Sequence, residues 1–237
     1  GSKYFGTPYL YKENGFKERE KAEELIAYLK EEPPLEAKVL SKEKKKETKN
    51  PPLLYNLAEL QNDCSKMFKI SPDETLKVVQ ELYEKKLVTY PRTDARVLST
   101  AVAKEIYKNI NGLMRYEPMA GFAKEAMNLG SFKGIAKTRY VNDKQITDHY
   151  AIIPTGQGMG NLRGLSPLSE KVYQVVCRRF LSIFYPAAIY QKYSLVLERK
   201  KEQFFASFKV LSEPGYLKVA DVNLAKKSSI QETFSDE

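Results

Sequence analysis

The sequence predicts an α+β protein in which a mainly helical segment, with a helix-turn-helix-like pair near its start, is inserted into a β-rich domain. Three observations support this class. Residues 190–197 and 204–211 alternate apolar and polar side chains on either side of a charged turn, which is typical of a β-hairpin. Several segments between residues 57 and 184 instead repeat apolar side chains at helical spacing. Prolines separate the two patterns, at Pro51-Pro52 and Pro186, because proline cannot continue a helix interior or a sheet ladder.

These prolines set the expected domain boundaries. We predict that residues 1–52 form the first part of the β-rich domain and residues 53–185 the helical domain. Residues 186–237 then form the second part of the β-rich domain, ending in a polar tail that we expect to fray. A chain of 237 residues is long enough to bury the core of one or two domains. The opening Gly1-Ser2 is interpreted as a scar of tag removal and is left out of the fold prediction.

The first part of the chain mixes strand and helix signals. Residues 3–20 are rich in aromatic and turn residues, and Glu18–Lys30 has the spacing of an amphipathic helix. A strand is predicted over Ala37–Ser41. The lysine-rich run that follows, at 42–47, is interpreted as a solvated connector, with contact to DNA as the open alternative.

The helical segment begins with two well-marked helices. Apolar residues at helical spacing predict the first over residues 57–68. Ser71, Pro72 and Glu74 then supply an N-cap, a first-turn proline and a capping-box glutamate for a second helix that runs to about Lys85. The pair resembles a helix-turn-helix. Its expected role is to position the extended segment that follows it.

Later elements are predicted in the same way. Helices are expected over residues 99–110 and 121–127, and a long one begins at Ser166-Pro167 and ends near Phe184. In that long helix Arg178 and Arg179 are expected outward or at its edge. The glycine-rich stretch 156–164 lacks the lysine-serine or lysine-threonine ending of a phosphate-binding loop, so it is interpreted as a flexible surface loop.

Composition limits the function classes. Lysine and arginine total 39 against 30 acidic residues, and the net charge of +9 suits a polyanionic partner. No apolar run reaches the roughly 18 residues of a membrane span, so we expect a soluble protein with no membrane partner. Cys64 and Cys177 lie far apart with a single histidine in the chain, which indicates neither a zinc site nor a disulfide scaffold. Both cysteines are expected in the core, as in a protein of the reducing cytoplasm.

The segment Leu87-Val88-Thr89-Tyr90-Pro91-Arg92-Thr93-Asp94 holds the candidate chemistry. Pro91 pushes Tyr90 away from helical geometry, so Tyr90 is expected on extended or turning backbone just after a helix. Arg92, two residues on, is placed to point to the same side. A guanidinium favours a phenolate and binds phosphate oxygens, which suggests attack on phosphate. With 16 tyrosines in the chain, a purely structural role for Tyr90 remains the alternative from spacing alone.

Two motifs together resemble a known family. Tyr90-Pro91-Arg92-Thr93-Asp94 resembles the active-site tyrosine motif of type IA DNA topoisomerases, and Ile146-Thr147-Asp148-His149-Tyr150-Ala151-Ile152-Ile153-Pro154-Thr155 resembles a second motif of that family. Weaker similarities lie at residues 51–61 and 213–216. Their order is similar to that of the topoisomerase III branch, and the resemblance covers roughly residues 3–225.

The resemblance implies roles for individual residues. Tyr90 is the nucleophile that attacks one DNA strand and forms a bond to its 5′ phosphate, and Arg92 stabilises the charge of the transferred phosphoryl group. His149 is implied to contact the DNA backbone near the cleavage site, with Asp148 orienting its ring. Thr155 is a candidate phosphate contact. Thr93 is a second candidate on the DNA side, or a local hydrogen-bonding group that fixes the turn.

The resemblance also implies what lies outside this chain. Family members bind Mg²⁺ through clustered acidic residues of a Toprim domain, and they carry an arch domain; we find neither in this sequence, and we predict no metal site and no nucleotide site within it. The implied partner is single-stranded DNA, and the implied location is the bacterial cytoplasm, in association with the nucleoid or a plasmid. We therefore expect the isolated chain to bind single strands weakly and not to cleave them.

Two other function classes are the alternatives to a topoisomerase. The chain is alternatively a non-catalytic nucleic-acid-binding module built on the helix pair at residues 57–85, with a structural Tyr90. A tyrosine recombinase also forms phosphotyrosine bonds, but to the 3′ phosphate, and its tyrosine motif does not resemble this one.

Overall fold

A computed structural model describes residues 10–11, 16–31 and 36–220, with only the backbone of Leu10 and Tyr11. It combines helices and antiparallel strands, which confirms the α+β class. The helices are α1 (Arg19–Lys30), α2 (Leu57–Phe68), α3 (Pro72–Glu84), α4 (Thr100–Glu105), α5 (Tyr107–Leu113), α6 (Glu117–Leu129), α7 (Pro167–Ser182) and α8 (Leu217–Ala220). The strands are β1 (Leu10–Tyr11), β2 (Lys38–Lys49), β3 (Ala188–Arg199) and β4 (Glu202–Glu213). Short 3₁₀ helices lie at Ser131–Lys137, Asp143–Gln145 and Met159–Gly164.

The described residues divide into two compact units. The helical unit contains residues 50–187 and 215–220, and the sheet unit contains residues 10–11, 16–31, 36–49 and 188–214. Residues 215–220, which include α8, pack with the helical unit although they follow the last strand in sequence. The polar tail predicted to fray at 226–237 lies outside the described residues.

The sheet unit is built on one antiparallel sheet with the strand order β1-β4-β3-β2. The predicted hairpin is confirmed as β3 and β4, which pair from Ile189 and Glu213 to the turn at Arg199 and Glu202. β2 pairs with β3 over its whole length, so two neighbouring strands are separated in sequence by residues 50–187.

The interpretation of residues 42–47 as a connector was wrong. These residues continue the short predicted strand and form half of β2, an edge strand whose residues are all exposed. Lysine is a poor strand former by propensity, but it is common on edge strands because its charge opposes pairing with another molecule. The backbone ladder with β3 therefore overrides the local sequence preference.

The two helices predicted before the Tyr90 segment are confirmed. The Asn56 side chain accepts a hydrogen bond from the Glu59 N–H and caps α2. Ser71 caps α3 by accepting from the Glu74 N–H, with Pro72 at the first helical position. Farther along, the helix predicted over 99–110 is broken at Ile106 into α4 and α5, and α6 begins at Glu117, earlier than predicted.

The core of the helical unit is organised around α7, whose predicted bounds are confirmed to within a turn. Phe180 is fully buried and its ring meets that of Phe184 edge-on, with the centroids 5.2 Å apart. Cys64 and Cys177 are both buried and free of disulfide bonds, as predicted. Among the described residues, no helix is both long enough and apolar enough to cross a membrane.

The glycine-rich stretch at 156–164 is more closely packed than a flexible loop. Gly156 lies against Gly112 of α5 so tightly that a Cβ on Gly112 would come within 2.0 Å of the Gly156 carbonyl oxygen. Gly158 lies against the backbone of Lys85 and Lys86 in the same way. Glycine at these positions permits close approach of backbones, which the local sequence did not indicate.

Candidate functional site

The Tyr90 segment leaves α3 as extended backbone and pairs with the second motif. The Thr89 N–H donates to the Ile153 carbonyl at 3.0 Å, and the Thr155 N–H donates to the Leu87 carbonyl at 3.0 Å. An isolated antiparallel bridge joins Val88 and Pro154 between them. Two motifs about 60 residues apart in sequence are thus held side by side by backbone hydrogen bonds.

Threonine hydroxyls reinforce this pairing on both sides of Tyr90. The Thr89 hydroxyl donates to the Ala151 carbonyl and accepts from the Ile153 N–H, both at 3.0 Å. The buried Thr93 hydroxyl donates to the His149 carbonyl at 3.0 Å and accepts from the Ala95 N–H at 3.1 Å. Thr93 therefore ties the turn after Tyr90 to the backbone of His149.

Tyr90 is half-buried between two aromatic rings. The centroid of its ring lies 4.3 Å from that of His149, with the planes tilted by 39°. The ring of Tyr83, at the end of α3, meets Tyr90 edge-on at 5.4 Å. The Tyr90 hydroxyl makes no hydrogen bond with any residue that the structure describes. The phenol is held by its ring while its oxygen is left available to an external group.

Arg92, Asp148 and His149 are exposed side chains beside this ring cluster. Within the described residues, Arg92 and Asp148 form no ion pair or side-chain hydrogen bond, and no hydrogen bond joins Asp148 to His149 or Arg92 to Tyr90. The structure brings Tyr90 and His149 into contact, but it shows no such contact for Arg92 or Asp148.

Thr155 lies at the end of the paired segment. Its hydroxyl donates to the Lys86 carbonyl at 2.6 Å and accepts from the Gln157 N–H at 3.0 Å. The hydroxyl hydrogen is therefore used inside the protein, where it holds the start of the 156–164 stretch against the end of α3.

A pocket of about 470 Å³ opens beside Tyr90. Its wall combines aromatic and polar side chains from both motifs and from the end of α3, among them Tyr83, Lys86, Tyr90, Tyr150, Thr155 and Gln157. Burial raises the pKa of Tyr150 above its ordinary value. The pocket thus offers phenol rings, the Lys86 ammonium and the Glu84 carboxylate beside the candidate nucleophile.

A buried polar cluster behind the site was not anticipated. The Arg179 guanidinium forms an ion pair with Asp63 at 2.8 Å, donates to the Leu53 carbonyl at 2.9 Å and lies 4.0 Å from the centroid of the Tyr55 ring. The Tyr55 hydroxyl donates to Asp63 at 2.7 Å, and burial raises the pKa of Tyr55 well above its usual range. The Tyr55 carbonyl also accepts from the Ile152 N–H at 2.8 Å, so this cluster supports the second motif.

The arginines of α7 were expected outward or at its edge. In the structure, both make more contacts within the protein than this prediction implied. Arg179 is mostly buried in the cluster just described. Arg178 donates to the Val219 carbonyl at 2.8 Å and lies over the ring of Phe122. The available signal was the pair of arginines within the otherwise apolar run 175–181 of α7, because charged side chains in such a position require partners.

The described residues contain no group of three or more histidine, cysteine, aspartate or glutamate side chains that could hold a metal ion. Within these residues no such group is present for the Mg²⁺ that the sequence resemblance implies.

Comparison with known proteins agrees with the family that the sequence resembles. A protein-family profile described as DNA topoisomerase matches residues 3–237. DNA topoisomerase 3 of Bacillus subtilis (strain 168) is 39% identical over 189 residues, which cover 78% of this chain and 25% of the relative. DNA topoisomerase 3 of Bacillus licheniformis is 38% identical over 171 residues, covering 72% of this chain and 23% of the relative.

The fold is similar to that of a solved structure. Full-length topoisomerase I from Thermotoga maritima superposes with a TM-score of 0.61 at 22% identity, over 91% of this chain and 34% of that protein. The chain spans about a quarter of the length of the curated relatives it matches. Since the family profile covers nearly every residue and the relatives share more than a third of the aligned positions, this chain belongs to the type IA DNA topoisomerase family.

Proposed function

We propose that this chain carries the strand-cleaving tyrosine of a type IA DNA topoisomerase, and that Tyr90 is that residue. The observation that carries the proposal is the pairing of the two motifs, which brings the Tyr90 ring to 4.3 Å from the His149 ring while its hydroxyl stays free of hydrogen bonds to described residues. A nucleophile needs this combination of a fixed position and an available oxygen.

The proposed step conserves the number of phosphate ester bonds. The Tyr90 oxygen attacks the phosphorus of one strand, a bond from the tyrosyl oxygen to phosphorus forms, and the bond from phosphorus to the 3′ oxygen breaks. The phenol loses a proton and the 3′ oxygen gains one. The 5′ phosphate is then attached to the protein, and the reverse step reseals the strand after another strand has passed. Because the covalent bond stores the energy of the broken ester, resealing requires no nucleotide.

His149 and Arg92 are the proposed contacts to the DNA phosphates. Both side chains are exposed, and hydrogen-bond donors or cations close to the attacked phosphate stabilise the charge that develops during phosphoryl transfer. Asp148 is proposed to help orient the His149 ring. Thr93 and Thr155, which the motifs also place at the DNA, use their hydroxyl hydrogens within the protein. We propose that they act by holding the two motifs in register.

The helical unit is proposed to be the active-site tyrosine domain, residues 53–185, and the sheet unit the hinge domain, residues 1–52 and 186–237. The contact pattern supports this division, with its own boundaries after Lys49 and after Ala187. The pair of α2 and α3 leads directly into the Tyr90 segment, which supports a positioning role for it rather than a role in reading DNA sequence.

The Mg²⁺ of the family is proposed to be held outside the residues described, by a Toprim domain of the same polypeptide, and no step here depends on it. Single-stranded DNA is the proposed substrate, and the bacterial nucleoid or a plasmid the proposed location. The chain alone is expected to bind single strands weakly and to leave them intact.

The test is a Tyr90→Phe substitution in the full-length protein that contains this chain. We expect it to abolish both the covalent adduct with a labelled single strand and the relaxation of negatively supercoiled DNA, with binding retained, because only the nucleophilic oxygen is removed. Tyr83→Phe is the matched control, since Tyr83 packs against Tyr90 in the same pocket, and it should retain adduct formation. Normal adduct formation by Tyr90→Phe would contradict the proposal and would leave the binding-module alternative in its place.

A further inference from the structure

Lys86 adopts a backbone conformation that ordinarily selects glycine. At the end of α3, the Leu87 N–H donates to the Leu82 carbonyl at 2.9 Å and the Lys86 N–H to the Tyr83 carbonyl at 2.8 Å. This is the Schellman arrangement, and it requires the left-handed region at Lys86, where φ is 61°. A side chain with a Cβ is strained there. A glycine at this position would relieve that strain.

The backbone of Lys86 is also fixed by the segment that contains Thr155 and Gly158. Its carbonyl accepts the Thr155 hydroxyl hydrogen at 2.6 Å. Gly158 packs so closely that a Cβ there would come within 2.6 Å of the Lys85 oxygen and 3.2 Å of the Lys86 carbonyl carbon. The starting direction of the Lys86 side chain is therefore set by the second motif as well as by α3.

The side chain lines the pocket beside Tyr90 and has no counter-ion among the described residues. Its neighbour Lys85 forms an ion pair with Glu81 at 2.9 Å and donates to the Gly164 carbonyl at 3.4 Å. The Lys86 ammonium, by contrast, forms no ion pair or hydrogen bond with any residue in the described part of the chain, although Glu84 lines the same pocket. Glu84 instead accepts a hydrogen bond from Gln80 at 3.4 Å. An exposed cation whose backbone is fixed, and which no described residue neutralises, is suited to an external anion.

We propose that Lys86 binds a backbone phosphate of the DNA strand in the pocket beside Tyr90. The inference rests on the proposed function, and it adds to that function a phosphate contact from outside both motifs. The lysine ammonium acts as a point charge, without the planar geometry of Arg92. Lys86 thereby fixes the strand next to the phosphate that Tyr90 attacks, and it takes no part in proton transfer.

Lys69 provides a matched control within the same chain. It ends α2 in the same left-handed conformation, with φ of 59°, and it does not line the pocket. Lys69→Gly and Lys86→Gly each relieve one strained residue and each remove one positive charge. If the two variants differ in DNA binding, the cause is therefore the position of the lysine in the pocket, since both variants change the net charge and the backbone strain in the same way.

The experiment measures binding of a fluorescent oligothymidylate to the 237-residue chain by anisotropy over a series of salt concentrations. Loss of one phosphate contact should make the slope of log K against log salt shallower by about 0.7, which corresponds to about fivefold weaker binding near 0.1 M salt. We expect this change for Lys86→Gly and no comparable change for Lys69→Gly. Lys86→Arg should restore most of the slope because it restores the charge.

The proposal is overturned by equal slopes for the two glycine variants, by a failure of Lys86→Arg to restore binding, or by the absence of measurable binding at low salt. Repeating the titration with Tyr90→Phe separates this inference from the proposed function. The salt slope does not require cleavage, so adduct formation that survives Tyr90→Phe would remove the function and leave the phosphate contact at Lys86 standing. Conversely, if Tyr90→Phe loses the adduct but Lys86→Gly has the same salt slope as the parent chain, the proposed function stands and the phosphate contact at Lys86 does not.

Discussion

The helical unit and the sheet unit are stabilised in different ways. The helical unit buries large side chains completely, including Tyr173, Phe180 and Phe184. Among the described residues of the sheet unit, the buried apolar side chains are those of Ala188, Leu195 and Ala206, and β2 is exposed throughout. The sheet unit relies mainly on its backbone ladder, whereas the helical unit has a packed core. Both motifs lie in the unit with the packed core, which can hold Tyr90 and His149 rigidly.

The largest effect should come from the core of the helical unit. Phe180→Ala removes a fully buried ring and should lower the free energy of unfolding by about 3–5 kcal/mol, because the cavity cannot collapse in a close-packed core. Hydrogen–deuterium exchange read by mass spectrometry should show faster exchange across α7 and the helices packed on it.

Leu195→Ala is the counterpart in the sheet unit, where Leu195 is 1% exposed. We expect its faster exchange to be confined to β2, β3 and β4, since few other buried side chains depend on it. Acceleration of α7 amides by Leu195→Ala to the extent seen with Phe180→Ala would show that the two units unfold together, and the contrast drawn above would fail.

A smaller effect should come from the contact between glycines behind the pocket. Gly112→Ala places a methyl group within 2.0 Å of the Gly156 oxygen, so the 155–158 segment has to move. Overpacking of this kind should cost about 1–3 kcal/mol. Because Thr155 belongs to that segment, we also expect weaker adduct formation in the full-length protein.

Gly121→Ala in α6 is the control for helix propensity. A Cβ at Gly121 meets nothing within 4 Å, so alanine should stabilise the protein by about 0.5–1 kcal/mol in a chemical denaturation measurement. If both alanine substitutions stabilise the protein, the close approach at Gly112 is not a constraint on the site.

The smallest of the three effects concerns alkaline pH. Burial raises the pKa of Tyr173 well above its usual range, as it does for three other buried tyrosines of the helical unit, Tyr55, Tyr116 and Tyr185. The folded state therefore keeps these phenols protonated at a pH where the unfolded chain ionises. Their contribution to stability is complete below the unfolded pKa of about 10 and is lost progressively as the pH rises above it.

Tyr173→Phe should remove one of these ionisations. Relative to the parent protein, the variant should retain about 1.4 kcal/mol more of its pH 8 stability at pH 11, because one fewer phenol ionises on unfolding. Urea unfolding of both proteins at the two pH values measures this difference. Parallel losses of stability in the two proteins would mean that Tyr173 ionises in the folded state as readily as in the unfolded chain.

Much of the helical unit follows from local sequence rules. The caps at Asn56 and Ser71 form as short-range side-chain hydrogen bonds, and such bonds can be predicted because both partners lie within three residues. The hairpin of β3 and β4 could be predicted for an equally local reason, because apolar and polar side chains alternate on both sides of a charged turn. β2 could not be predicted over its full length, because its lysines form a strand only when β3 is present as a partner.

The candidate site likewise combines features that the sequence predicts with features that depend on distant partners. The sequence marked Tyr90 and His149, but not the residues that support them. Arg179 reaches Asp63 and Leu53 across more than a hundred residues of chain, and such pairings have no periodic signal in sequence. The proposed role of Lys86 could not be predicted from the sequence, because it is inferred from a backbone angle and from the hydrogen bond with Thr155.

The sequence by itself determined the family, the helix starts and the two motifs, because these depend on residue identity and on short-range spacing. The tertiary structure alone decided that Tyr90 lies against the His149 ring, that the threonine hydroxyls lock the motifs together, and that Lys86 lines the pocket with no counter-ion among the described residues. These properties depend on which distant segments pack together, and the packing is set by the summed burial and hydrogen bonding of the whole helical unit.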